Sequence, residues 1–189
     1  MDLSNYDQDI ILARENATPQ VKEIFDRSEE VFNLLLHLKK IDNPLLNLPI
    51  KTLGLTKQCV SILQEMEQFV SPTDDIYYLQ AGKLYNIVNN IQVHWGKLFV
   101  ASIVKKQGTP DNETVSGLLS LLKDSMKEIT KLNLTSDLKE EITSSLKKMG
   151  ESPLPKRENY SSSTRGNESS GCLSVVLFFI VTITLFSLF

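Results

Sequence analysis

The feature that most constrains this chain is residues 171–189, a run of 19 residues without a single charge. Fourteen of these 19 are apolar, whereas residues 151–170 contain only two apolar residues and residues 1–150 contain 62. As a helix, 171–189 would be about 28 Å long, close to the roughly 30 Å hydrocarbon core of a bilayer. The sequence therefore predicts three parts: a folded body, a disordered Ser/Pro-rich linker at 151–170, and a hydrophobic C-terminal helix.

Two membrane interpretations of residues 171–189 stay open. In the first, the segment is a transmembrane tail anchor, the body is cytosolic, and the chain resides in the ER or secretory pathway. The first residues favour this interpretation, because 1–7 carry no basic start and the apolar run 10–13 is too short for a leader. In the second, the segment is a removable GPI signal and the body lies at the cell surface. The small residues Ser161, Ser162 and Ser163 would then supply the attachment site.

Glycosylation sequons accompany the second interpretation. The pattern Asn-x-Ser/Thr occurs at Asn112, Asn133, Asn159 and Asn167. A fifth match, at Asn16, is compromised because Pro19 follows it closely. These asparagines are candidate N-glycosylation sites only if the body enters the secretory lumen.

Prolines and capping residues divide the body, residues 18–150, into an all-α bundle of about five helices. Residues 1–17 are expected to be a flexible N-terminus, and 44–49 an irregular or one-turn connection. The predicted helices begin at Thr18–Pro19, after Pro49, at Ser71–Pro72, at Thr109–Pro110 and at Asp137. Apolar residues at three- and four-residue spacing predict one buried face per helix, with Cys59 on the buried face of the second.

The third predicted helix is the longest. No proline interrupts it between Pro72 and Gln107, so it would span about 35 residues and roughly 50 Å. Gly82, Gly96 and the adjacent polar pair at 89–90 favour a kink within it.

A short motif on this helix resembles a family signature. His94-Trp95-Gly96-Lys97 resembles the Asn-Trp-Gly-Arg sequence that opens the central helix of Bcl-2 family proteins, which are helical bundles with C-terminal membrane tails. The resemblance implies a groove beside Trp95, Gly96 and Lys97 that receives an amphipathic partner helix. Lys97 stands where the family has arginine, and lysine lacks the bidentate fork. The alternative is that Trp95 anchors the core and Gly96 permits close packing.

Residues suited to catalysis or metal binding are scarce. The chain has two cysteines and two histidines, and none of them are spaced as zinc ligands are. No sequence pattern places a serine or cysteine with a histidine and a carboxylate, and no glycine loop could hold phosphate. The net charge of −3 argues against a nucleic-acid partner.

These observations predict a non-enzymatic, membrane-tethered helical domain that binds another protein. They predict no cofactor, no metal, and no small-molecule substrate. The alternatives are a GPI-anchored surface glycoprotein with a helical ectodomain, and a Bcl-2-like apoptosis regulator.

Overall fold

The helix-forming patterns of the body produce an all-helical structure. The computed structural model describes residues 6–105 and 110–150; the linker, the apolar run 171–189, and with them Ser161, Ser162, Ser163, Asn159 and Asn167, lie outside the described residues. The elements are α1 (Tyr6–Asn16), α2 (Pro19–His37), a 3₁₀ turn (Leu38–Lys40), α3 (Pro44–Met66), α4 (Asp75–Lys105), α5 (Asn112–Ile129) and α6 (Ser136–Gly150). Across the described ranges, none of the helices is both long and apolar enough to cross a bilayer.

The long helix α4 lies at the centre of the bundle. It packs against α1, α2, α3 and α5, and its 31 residues span about 46 Å. Gly82, Asn89 and Gly96 all lie within this helix, which runs continuously from Asp75 to Lys105, and a kink at these residues stays a prediction. Side chains are buried around most of its circumference. The predicted stripe is buried from Tyr77 to Trp95, and its last residue, Leu98, is partly buried.

The start of α2 follows the sequence pattern closely. Thr18 Oγ1 accepts a hydrogen bond from the Val21 N–H at 3.5 Å, and Pro19 occupies the first helical position. The predicted stripe of this helix is buried, including Phe32 and Leu35. The helix gives way to the 3₁₀ turn after His37.

The start of α5 uses a different cap from the predicted one. Asp111 is the N-cap, and its Oδ1 accepts a hydrogen bond from the Thr114 N–H at 2.8 Å. The Thr114 hydroxyl donates a second hydrogen bond, to Asp111 Oδ2 at 3.1 Å. Both bonds favour the ionised carboxylate, so the pKa of Asp111 is lowered from its ordinary value. Thr109, the predicted cap, lies outside the described residues.

The prediction for residues 44–49 was wrong, because they form the first turns of α3. Asn43 precedes the helix with φ of 46°, a left-handed conformation that asparagine adopts more readily than most residues. Pro44 takes the first helical position, and the helix then continues through Pro49. A proline at this depth removes one backbone hydrogen bond, which explains why the sequence pattern indicated a boundary there.

The N-terminal segment contains a helix that the sequence analysis did not assign. In α1, Ile10 is buried, and Arg14 donates to both carboxylate oxygens of Asp26 on α2 at 2.9 and 2.8 Å. The apolar residues 10–13 are consecutive, so they give no helical stripe, and Ile11 and Leu12 are exposed. Contacts with α2 and α4, rather than amphipathic periodicity, account for this helix.

Candidate functional site

Trp95, the centre of the Bcl-2-like motif, is held inside the bundle. Its side chain is 1% exposed, and its indole N–H donates a hydrogen bond of 2.8 Å to the backbone carbonyl of Leu45. Its ring stacks on Phe99 with a centroid separation of 5.4 Å and an interplanar angle of 3°. The aromatic pair therefore joins the C-terminal half of α4 to the start of α3.

The bond to Leu45 is explained by the proline four residues later. In a regular helix the carbonyl of Leu45 would accept from the backbone N–H of residue 49, but Pro49 has no N–H. The indole of Trp95 supplies the missing donor from another helix. Leaving this partly buried carbonyl unpaired would cost up to about 1–3 kcal/mol, so the bond offsets part of the cost of the internal proline.

The motif residues around Trp95 face different environments. Gly96 is buried, whereas Lys97 is exposed. His94 is partly buried, and its pKa is lowered by burial first and then by the nearby charges of Lys39 and Lys97. The motif lies in the interior of α4 and does not open a helix, unlike the family signature that it resembles. The partner groove at these residues stays a prediction.

The two candidate glycosylation sites in the described residues are both exposed. Asn112 is the first residue of α5, and Asn133 lies in the turn between α5 and α6. The backbone N–H of Asn133 donates to Glu67 Oε1 at 2.8 Å. Thr135 completes that sequon, and its hydroxyl oxygen is buried without a hydrogen-bond partner among the described residues.

Glu67 joins three segments that are distant in the sequence. Its Oε1 accepts from the Tyr77 hydroxyl at the start of α4 and from the Asn133 N–H beyond α5, while Glu67 itself ends α3. Burial, followed by the hydrogen bond and charge of Glu67, raises the pKa of Tyr77 well above its ordinary value. We call this arrangement the Glu67 junction.

A polar network lies between α2 and α4. Ser28 and Gln80 are fully buried and hydrogen-bonded to each other at 3.1 Å, and Gln80 Nε2 donates to Glu29 Oε1 at 2.8 Å. Lys83 Nζ binds both oxygens of Glu29, at 2.7 and 2.6 Å. Burial, with a smaller contribution from Glu29, raises the pKa of the neighbouring Cys59 thiol to about 12. This thiol is therefore protonated at neutral pH and a poor nucleophile.

A depression of about 450 Å³ lies between α4 and α6. Its lining comes almost entirely from α6 and includes Asp137, Glu140 and Glu141, with Tyr85 from α4. The Tyr85 hydroxyl and Ser145 Oγ are 2.9 Å apart and hydrogen-bonded. Burial raises the pKa of Tyr85, so its hydroxyl stays protonated and ties α6 to α4.

Exposed apolar side chains are the surface feature that sequence reasoning missed. Five of the eight large ones in the described residues belong to the end of α2, the start of α3 or the end of α4: Leu34, Leu36, Leu46, Ile50 and Val104. Their exposed fractions run from 36% to 67%. Their apolar character alone favours burial, but their position off the main buried stripes could have indicated that they are exposed.

The described residues contain no group of three or more His, Cys, Asp or Glu side chains placed to hold a metal ion. Comparison with known proteins gives no family for the chain: no protein-family model, curated protein or solved structure matches it.

Proposed function

We propose that this protein is a non-enzymatic helical interaction domain tethered to a membrane by residues 171–189. The observation that carries the proposal is the contrast between this uncharged run and the body before it. The body packs its own core from α1 to α6, and the buried core residues from Ile10 to Ile142 lie in these helices and in the turns that join them. Residues 151–170 would separate this domain from the bilayer.

Membrane extraction tests the tether. We expect the full chain, expressed in cells, to remain with membranes in alkaline carbonate, because a 19-residue apolar helix can span the hydrocarbon core. A variant with Val176→Lys and Ile180→Lys should be extracted, since each lysine at a helix centre costs about 2.5–3.5 kcal/mol on insertion scales. A matched control places two lysines in the linker, at Ser152 and Ser170, which lie outside the candidate attachment site and the sequons. Extraction of the unmodified chain would refute the tether.

A GPI-anchored surface glycoprotein is the second candidate, and the exposure of Asn112 and Asn133 favours it. Glycosidase treatment should then increase the mobility of the expressed chain, and Asn112→Gln and Asn133→Gln should each remove part of that shift. Release of the body by a phosphatidylinositol-specific phospholipase would select the GPI form. The tail anchor would be selected if glycosidase left the mobility unchanged and if added protease cleaved the body in intact microsomes.

Contact with a protein partner is proposed at the outer face of α3. Leu46 and Ile50 are exposed one helical turn apart, 36% and 56% respectively, and contiguous exposed apolar surface is typical of interaction sites. A photo-crosslinking residue at position 50 should capture a partner in cells, whereas one at the exposed Gln58 on the same helix should not. Equal capture at both positions would argue against a specific contact.

A further inference from the structure

The body carries opposite charge at its two ends. The turn between α3 and α4, residues 65–75, contains four acids and no base. At the other end lie exposed Lys39 and Lys40 after α2, Lys51 on α3, and Lys97 and Lys105 on α4. Residues 36–40 and 94–105 contain four lysines and no acid, within a chain of net charge −3.

The basic side of this second end is built by α2 and α4 together. No acid occurs in residues 31–41 or 76–105. The Trp95–Leu45 hydrogen bond places the C-terminal part of α4 beside the α2–α3 turn, and the charges of Lys39 and Lys97 both act on His94 between them. Among the described residues, Lys39, Lys40 and Lys97 form no ion pair with a carboxylate. We call the surface formed by residues 36–40 and 94–105 the basic end.

Apolar side chains are exposed among these lysines. Leu36 is 46% exposed beside Lys39 and Lys40, and Val104 is 67% exposed one residue before Lys105. Lysines next to exposed apolar side chains are the combination that holds peripheral proteins on anionic bilayers, because headgroups attract the charge and the acyl boundary accepts the apolar groups.

The direction of α6 also points the chain toward the basic end. Near its beginning, Asn133 is bonded to Glu67 close to the start of α4, and further along Ser145 is bonded to Tyr85. The helix therefore runs in the same direction as α4 and ends at Gly150 on the way to the basic end. The linker and residues 171–189 follow from that point in the sequence.

We propose that the basic end docks on the anionic headgroup surface of the same membrane in which residues 171–189 are anchored. The acidic α3–α4 turn then faces away from that membrane, which gives the tethered body a defined orientation. This inference rests on the proposed tether, but it concerns a separate surface and has its own measurement.

The test uses the full chain in phosphatidylcholine vesicles with and without phosphatidylserine. Cys172→Ser removes the cysteine of the apolar run, and the buried Cys59 is left in place. An environment-sensitive fluorophore is then attached at Leu36→Cys, or at Phe69→Cys as the control. Phe69 is similarly exposed, at 53%, but lies in the acidic turn. We expect the emission of the fluorophore at position 36, and not at position 69, to shift to the blue and to be quenched by brominated lipid. Both effects should require phosphatidylserine and should be reversed by high salt.

Charge variants give the magnitude. Changing Lys39, Lys40 and Lys97 together to glutamine should lower the affinity of the basic end for phosphatidylserine vesicles on the order of a hundredfold. Each lysine near an anionic surface contributes a factor of roughly five to that affinity, and the three factors multiply. The matched control changes Lys57, Lys123 and Lys139 to glutamine, which alters the net charge equally but leaves the basic end intact. An equal loss in both triple variants would overturn the assignment to this surface.

Alkaline extraction of the same vesicles separates the two proposals. An inserted chain without quenching at position 36, or with equal quenching at position 69, overturns docking and leaves the tether standing. A chain that is extracted overturns the tether. Energy transfer between differently labelled copies, without quenching by lipid, would make the basic end an interface between copies and would overturn lipid docking.

Discussion

Replacing Trp95 by phenylalanine tests whether the indole N–H compensates for the missing N–H of Pro49. The substitution keeps an aromatic ring near Phe99 but removes the donor to the Leu45 carbonyl. The lost hydrogen bond is worth about 1 kcal/mol net, and leaving the partly buried carbonyl unpaired costs up to about 1–3 kcal/mol. With the smaller ring, we expect Trp95→Phe to lower the free energy of unfolding by about 2–4 kcal/mol.

A double-mutant cycle isolates the hydrogen bond from the packing. Pro49→Ala restores a backbone N–H that can donate to the carbonyl of Leu45, so Trp95→Phe should be less costly in that background. We expect a coupling free energy of about 1–2 kcal/mol between the two substitutions. The packing loss is common to both backgrounds and cancels in the cycle.

The measurement is urea unfolding of residues 1–150, which contain the whole described core. Far-UV circular dichroism is the appropriate probe, because Trp95 is the only tryptophan of the chain and its fluorescence disappears with the substitution. Pro49→Ala alone should not destabilise the protein, since alanine is the better helix former. A coupling below about 0.5 kcal/mol would refute the compensation, because independent sites add within that margin.

Three further outcomes are expected. Glu67→Ala should lower the free energy of unfolding by about 2–3 kcal/mol because it leaves partners of the Glu67 junction unpaired, whereas Glu65→Ala, which removes an exposed ion pair, should cost less than about 1 kcal/mol; equal losses in urea unfolding would contradict the junction. The folded pKa of Cys59 lies above its unfolded value, so its contribution to stability is complete below about pH 9 and is lost as pH rises toward about 12; the fall in unfolding free energy, up to about 1.4 kcal/mol per pH unit, should be shallower in Cys59→Ala, and an unchanged slope would contradict it. Gly54→Ala and Gly117→Ala, where an added Cβ would meet no atom within 4 Å, should each raise the thermal midpoint through a gain of about 0.5–1 kcal/mol, and a lower midpoint would contradict the open space.

The periodicity of apolar residues predicted the helices whose buried side chains lie along one face. The stripes of α2, α4 and α5 depend on side chains three and four residues apart, and the prediction of an all-helical body is confirmed in the described residues. Cys59 also lies on its predicted buried face. A stripe is detectable because the residues that form it are close in sequence.

Features that depend on distant residues were not predicted. Pro49 indicated a helix boundary because the helix propensity of proline reflects only its local loss of an N–H. It does not include an indole donor that lies 46 residues later in the chain. Helix α1 lacks a stripe and is held by the buried Ile10 and by its contacts with α2 and α4. At the motif, the sequence left Trp95 open as a groove residue or a core anchor, and only the structure shows that its N–H is used within the bundle.

The basic end is a surface feature that the sequence did not predict. Lys39 and Lys97 are separated by 58 positions, and each looks like an ordinary solvated charge in its own helix. Their shared position beside His94 follows from the packing of α2 against α4. Surface charge patterns of this kind need the tertiary arrangement before they can be recognised.

The Glu67 junction has a consequence for the rates of folding and unfolding. Glu67 and Asn133 are 66 residues apart, so their hydrogen bond can form only after the chain between them has closed a large loop. We expect this contact to form after the folding barrier has been crossed, and therefore to slow unfolding more than it speeds folding. Strengthening this single carboxylate contact would extend the lifetime of the folded body while leaving the time it needs to fold nearly the same.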